Sequence, residues 1–354
     1  MRAVVLTARF LFSANYLKVC YNKPYKTKTE DIMDYSQILS QQFNIKEEYA
    51  KNIITLLDDG NTIPFIARYR KEMHGSMDDQ LIREFAEKLE YLRGLDKRRD
   101  EIRSLIDAQE KLTDEINLAL DKAATLSELE DIYRPYRPKR KTRASIAKEK
   151  GLEPLANDIL KQEKGFDPSK SAVDYIDEEK GVTSVEDAIQ GAMDIIAELV
   201  SDNAEIRKRI RNLTNANGVL VSVATDEEKD SVYKNYYDYK EPVKKIAGHR
   251  VLAVNRGEKE GFLKVSVETD SEKPLNSIFR AMITDKNQLC SDIIREACTD
   301  AYQRLIYPSI EREVRNDLTD TASENAMKVF AVNLKQLLMQ PPVKGKTVLA
   351  LDPG

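Results

Sequence analysis

Tryptophan is absent from this 354-residue chain, and histidine occurs only at His74 and His249. Cysteine is nearly absent too. Cys20, Cys290 and Cys298 form neither a CxxC pair nor an even-numbered framework, which excludes a disulfide scaffold and a zinc ribbon. A reduced, cytoplasmic chain is the expectation. Glycine (13) and proline (12) are too sparse for a low-complexity or collagen-like protein. No run of about 18 apolar residues occurs, so no membrane span or membrane partner is expected. GxSxG, P-loop and GxGxxG signatures are all missing. The residues therefore point to no enzyme class and ask for no cofactor and no metal.

Charge is what the chain has in quantity. Charged residues make up 33% and hydrophobic ones 41%, a balance that suits long solvated helices around a sizeable core. Lys and Arg number 56 against 60 Asp and Glu, a net charge of -4. Any affinity for nucleic acid must then rest on local charge.

The start, "MRAVVLTARFLFSANY", resembles a signal peptide only weakly, because Arg9 interrupts its apolar run. Residues 1–32 read as a patternless basic extension, with Met33 an alternative start. Helical spacing then takes over: Ile38, Leu39, Ile45, Tyr49, Ile53, Leu56 and Leu57 predict a helical segment over 35–58, ended by Asp58, Asp59 and Gly60. Thr62, Pro64 and Gly75 frame a short helix. Ser76 opens a longer one with a stripe of Leu81, Phe85, Leu89, Leu92, Leu95 and Ile102. Capping boxes are read at Thr125/Glu128 and Thr183/Glu186. Further helices are expected after Thr113 and Thr125, around Leu155, over Val185–Leu199 and after Asn203. At Gly218 the pattern changes. "VLVSVAT" reads as a strand, and "HRVLAVNRGEKEGFLKVSVE" as strand, turn, strand. Helix returns from Ser291 to Met339. "KTVLALD" then reads as the start of a buried strand, which gives the chain a truncated look.

The densest basic stretch is "IYRPYRPKRKTRASIAKEKG", from Ile132. Arg134, Arg137, Lys139, Arg140, Lys141 and Arg143 offer phosphate contacts, and Tyr133 and Tyr136 could stack on bases. Its prolines predict an extended display. A solvated connector paired with acidic helices such as "SELED" fits the same residues equally well. Arg68, Arg70 and Lys71 sit on the short helix after a tight turn, a layout compatible with a helix-turn-helix and also with an ordinary charged hairpin. Tyr233, Tyr236, Tyr237 and Tyr239 are read as packing rather than stacking residues. His74 is expected at a helix C-terminus, His249 just before a strand, and Cys290 and Cys298 on one core face. Asp352 ends an apolar strand in the manner of the first metal-binding carboxylate of a ribonuclease H-like fold. One carboxylate cannot assemble a two-metal site.

"IPFIARYRKE", "LEYLRGLDKRRDEI", "TLSELEDIYRPYRPKRKTRASIAKEKGLEPLA", "HRVLAVNRGEKEG" and "AYQRLIYPSIEREVRNDLTDTASENAMKVFAVNLKQLLMQPPVKGKTVLALDPG" resemble, in order, the bacterial Tex transcription accessory protein family from about Tyr35 to Gly354. The resemblance implies a mainly α, elongated multi-helical protein. It has a helix-turn-helix-like N-terminal region and a central region with a small β-hairpin. In the family a YqgF-type ribonuclease H-like domain, a helix-hairpin-helix region and an OB-fold RNA-binding domain follow. The expected division is an extension at 1–32, an N-terminal helical domain at 33–217, a mixed central region at 218–340 and a ribonuclease H-like stub at 341–354. The implied role is a non-catalytic transcription accessory factor that binds RNA or DNA, with RNA polymerase or other transcription proteins as further partners. The alternatives are a ribonuclease H-like nuclease or resolvase in the intact protein, and a helical protein-interaction scaffold.

Overall fold

The computed structural model describes residues 28–138, 140–284, 286–341, 344–347, 349 and 350. The chain is mainly α and divides into two compact units, one up to Leu126 and one from Ser127.

In the first unit, the segment expected as one helical run over 35–58 is broken. Asn44 adopts a positive φ of 52° and separates α1 (Lys28–Phe43) from α2 (Glu47–Asp58). Helix α1 starts ahead of Met33. Ala50, Ile53, Ile54 and Leu56 of α2 are buried, whereas Ile38 is exposed. Helix α3 (Ile63–Tyr69) follows a tight connection, completing a helix-turn-helix, with Pro64 in its first turn. A one-turn 3-10 helix (Lys71–Met73) extends it. His74 comes next, fully buried, with its Nε2 3.1 Å from the carbonyl of Ile66. That contact in the last turn of α3 agrees with a histidine at a helix C-terminus.

Helix α4 (Asp79–Asp107) is opened by Asp78 and not Ser76: the Asp78 carboxylate accepts from the Leu81 amide at 2.8 Å. Its inner stripe is also re-phased. Ile82, Phe85, Leu89, Leu95, Ile102 and Ile106 are buried, while Leu81 faces out. Each fully buried side chain of this size contributes on the order of 1.5–3 kcal/mol. Arg99 of α4 donates to the carbonyls of Leu120 (2.9 Å) and Ala123 (3.0 Å), capping the C-terminus of α5 (Asp114–Lys122).

The second unit begins with α6 (Leu126–Tyr133), a 3-10 turn (Arg134–Tyr136), α7 (Arg143–Glu149), α8 (Glu153–Lys161) and α9 (Pro168–Ala172). Its central helix is α10 (Val185–Asp202), whose Ala188, Ala192, Ile196, Ala197 and Val200 are fully buried. Ser184, and not Thr183, caps it, accepting from the Asp187 amide at 3.1 Å, while the Asp187 carboxylate accepts from the Thr183 amide at 3.1 Å in place of the expected Thr183/Glu186 box. Asn203 caps α11 (Ala204–Asn217), accepting from Ile206 at 3.0 Å.

A three-stranded antiparallel sheet follows in the order β2-β1-β3, built from β1 (Val219–Ala224), β2 (Asp238–Pro242) and β3 (Leu263–Glu268). The first arm of the expected hairpin over 249–268 is helical instead. Residues Gly248–Lys259 form α12, and Val251, Val254 and Gly257 are buried at a spacing of three. Their period, not their β-branching, decides the element. His249 is thus an exposed residue in the first turn of a helix. The chain continues through α13 (Glu272–Met282), α14 (Gln288–Asp300), a π-helical turn (Ala301–Ile306) and α15 (Tyr307–Leu338).

Cys290 and Cys298 lie buried on one face of α14. Tyr233 is buried, its ring 5.8 Å from Phe262; Tyr236 and Tyr239 meet edge to face at 5.2 Å. The tyrosine run is packing. No strand forms among the described residues after α15, and Leu349 is exposed. Asp352 lies outside the described residues.

Candidate nucleic-acid interface

The basic stretch of the second unit is more folded than its prolines suggest. Arg134, Pro135 and Tyr136 form the 3-10 turn instead of an extended display. Tyr133 is buried and lies 5.7 Å beneath the Arg137 guanidinium, so it presents no open face for a base. Tyr136 is half-buried. Arg137 is matched by Glu130 at 2.7 Å, and Lys141 by Glu149 at 3.4 Å. These two pairs are exposed, and a phosphate can compete for such cations at little cost. Arg134 lies 3.4 Å from Asp202 through a buried Nε that completes no hydrogen bond. Burial pulls its guanidinium below the ordinary value, Arg207 adds to that, and Asp202 and Asp131 oppose it. Arg140 and Arg143 are exposed. Arg143 opens α7, whose cap Thr142 accepts from the Ser145 amide through its hydroxyl and donates its own amide to the Ser145 hydroxyl. Its charge also helps hold down the Asp194 carboxyl, which burial nevertheless raises. Lys139 lies outside the described residues.

Beneath this stretch is a cluster that the sequence did not reveal. Asp131 of α6 accepts from Arg207 Nε and from Arg211 Nη2, both at 2.6 Å. Arg211 also forks onto Glu313 of α15 at 2.6 and 3.2 Å, and Arg207 donates to Ser309 at 3.1 Å. Burial works against the Arg211 charge, but the bonds to Glu313 and Asp131 outweigh it and its pKa is raised. The cluster ties α6, α11 and α15 together directly ahead of the basic turn. It is a structural anchor.

In the first unit, Arg68, Arg70 and Lys71 are all exposed at the end of α3. Arg70 stacks over Phe65 at 5.6 Å. No carboxylate pairs with Arg68 or Lys71 among the described residues. Tyr69 between them, absent from the expected set, is 66% exposed.

No group of three His, Cys, Asp or Glu residues converges to hold a metal among the described residues. No helix among them is long and apolar enough to cross a membrane.

Two family models match the chain. The Tex-like protein N-terminal domain matches residues 33–107, and the Tex central region-like model matches residues 163–330. YdcI of Bacillus subtilis (strain 168) is 44% identical over 329 residues, covering 91% of this chain and 46% of that protein. The transcriptional accessory protein Tex of Neisseria gonorrhoeae is 36% identical over 333 residues, covering 91% of this chain and 43% of that protein. The human S1 RNA-binding domain-containing protein 1 is 31% identical over 347 residues, covering 93% and 34%. The chain thus spans less than half the length of each of these relatives. Matched in order through both regions, the chain belongs to the Tex family.

Proposed function

We propose that this chain is a non-catalytic, nucleic-acid-contacting part of a Tex-type transcription accessory factor, gripping RNA or DNA by its phosphates. One observation carries the reading: Arg68 and Lys71 in the first unit, and Arg140 in the second, are exposed and free of carboxylate partners among the described residues, while Arg134, Arg137 and Lys141 beside Arg140 are matched. Unmatched cations in a chain of net charge -4 mark where an anion is received. Such contacts position a backbone and carry no base sequence. The names of the gonococcal and human relatives, one a transcriptional accessory protein and the other bearing an S1 RNA-binding domain, support the class.

The test is salt-titrated fluorescence anisotropy with labelled RNA and DNA, single- and double-stranded. The parent is compared with a variant carrying Arg68, Lys71 and Arg140 changed to Gln. Parent affinity falls steeply with salt, and the variant's slope is shallower by about 0.9 for each duplex phosphate contact removed. A parent whose binding ignores salt sinks the reading.

A protein-scaffold role has its own support. Met327, Phe330, Leu337 and Leu338 of α15 are each at least 61% exposed. Capture of a transcription protein that survives nuclease treatment favours that role.

A further inference from the structure

Helix α3 has two faces of different chemistry. Ile63, Ile66 and Ala67 turn into the core of the first unit. At 3.6 residues per turn, positions 65, 68 and 69 fall on the opposite side. Phe65 and Tyr69 occupy that outer face one turn apart, with ring centroids 5.3 Å apart. Arg70 closes over Phe65 at 5.6 Å, and Arg68 shares the face by its spacing. From Asn61 to Met77 the only carboxylate is Glu72. The result is an aromatic ring, 66% open to solvent, set among three exposed cations.

Helix stabilisation accounts for an aromatic pair at i and i+4. It does not account for the outer ring being left uncovered beside unpaired positive charge. A stacking platform accounts for both, because a base offers a π-face to the ring while its phosphates meet the cations. A duplex keeps its bases stacked on one another, so such a ring distinguishes unpaired strands.

We propose that Tyr69 is a stacking site for an unpaired base, making the outer face of α3 selective for single-stranded nucleic acid. Phe65 backs the ring, and Arg68, Arg70 and Lys71 receive the flanking phosphates. This rests on the nucleic-acid reading above and names the form of the ligand.

The experiment uses the full chain with fluorescein-labelled oligo(U) and oligo(dT) of about 12 nucleotides, and a duplex of equal length. The variants are Tyr69→Ala, Tyr69→Ile and Tyr69→Phe. The Ala and Ile forms weaken single-strand binding about ten-fold with an unchanged salt slope, since no phosphate contact is lost. The Phe form binds like the parent, and duplex binding is the same for all four proteins. The exposed position leaves the fold intact, which circular dichroism confirms. Oligo(U) carrying 5-iodouracil photo-crosslinks to Tyr69.

Equal single-strand affinity of Tyr69→Ala and parent overturns the assignment, as does a Phe form as weak as the Ala form, which would make the hydroxyl the contact. A variant that loses a captured protein but no oligonucleotide makes the face a protein contact and also overturns it. A parent that binds no nucleic acid overturns both readings. Salt-dependent binding indifferent to Tyr69→Ala overturns only this one.

Discussion

Arg207 Nε meets Asp131 Oδ1 at 2.6 Å with side chains only 3% and 6% exposed, the most buried ion pair among those described. Asp131 holds Arg211 with its other oxygen. One carboxylate thus bridges two guanidinium groups of α11, and Glu313 balances the second. Asp131→Ala strands the Arg207 charge and leaves Arg211 held by Glu313 alone, and breaking a buried pair in this way costs about 3–5 kcal/mol. Urea unfolding of the second unit should show a corresponding fall in its midpoint. An unchanged midpoint would mean that water compensates Arg207.

The basic stretch divides into two kinds of cation, and single substitutions should separate them. Arg134→Gln removes a partly buried partner of Asp202 and lowers stability by about 1–3 kcal/mol, with the salt slope of binding unchanged. Arg140→Gln does the reverse: stability stays within about 0.5 kcal/mol and the slope becomes shallower. Both effects on both variants would mean that the turn and the interface are one unit.

Alkaline pH should loosen the second unit. Burial pushes the Cys298 thiol from an ordinary 9.0 up to about 12. Tyr307, whose hydroxyl donates to the Val267 carbonyl at 2.7 Å, is likewise raised from 10.0 to about 12, chiefly by burial. Both groups are held neutral by folding. Their contribution is complete below the ordinary values and is lost as pH rises from 9 through 12, at up to about 1.4 kcal/mol per pH unit for each group. Thermal melts across that range should fall steadily. Cys298→Ala should flatten the onset and Tyr307→Phe the later part.

Thiol reactivity gives an independent check. In a Cys20→Ser variant, Cys290 and Cys298 are the only thiols, both buried and both pushed upward by burial. Ellman's reagent should read neither at neutral pH until denaturant is added. Reaction of the native protein would show local opening of α14.

Gly75 stops the basic helix of the first unit with a φ of +66°, and a Cβ there would sit 2.7 Å from the Tyr49 ring. Gly75→Ala meets both an unfavourable backbone region and a rigid neighbour. It should destabilise the first unit by about 1–3 kcal/mol. Chemical denaturation followed by circular dichroism measures this.

What the sequence made legible was local. Thr113 and Asn203 mark helix starts because a short polar side chain satisfies an amide two or three residues ahead. Val219–Ala224 stands out as β-branched and short. Composition misleads over 248–259, where valines three apart serve a helix although their branching suits a strand. The Asp131 cluster was illegible for a different reason. Its partners lie 76, 80 and 102 positions apart, and no spacing rule reaches that far. Tyr69 is not legible beside the arginines because periodicity places it on a face without saying what covers that face.

The wide turn at Ala301–Ile306 has a consequence for the rod it interrupts. Cys298, Tyr302, Ile306, Ile310 and Val314 are all buried, at steps of four. In an uninterrupted α-helix such a series advances about 40° per step and winds out of the core. The looser pitch of the π turn sets the phase back midway, so both halves keep one buried seam. Rewinding the same residues as ordinary α-helix, with none removed, would rotate everything beyond the turn by about 100°. Glu313, which forks onto Arg211, would then face elsewhere. The turn works as a keyway that fixes the rotational setting of α15 against the cluster beneath the basic stretch.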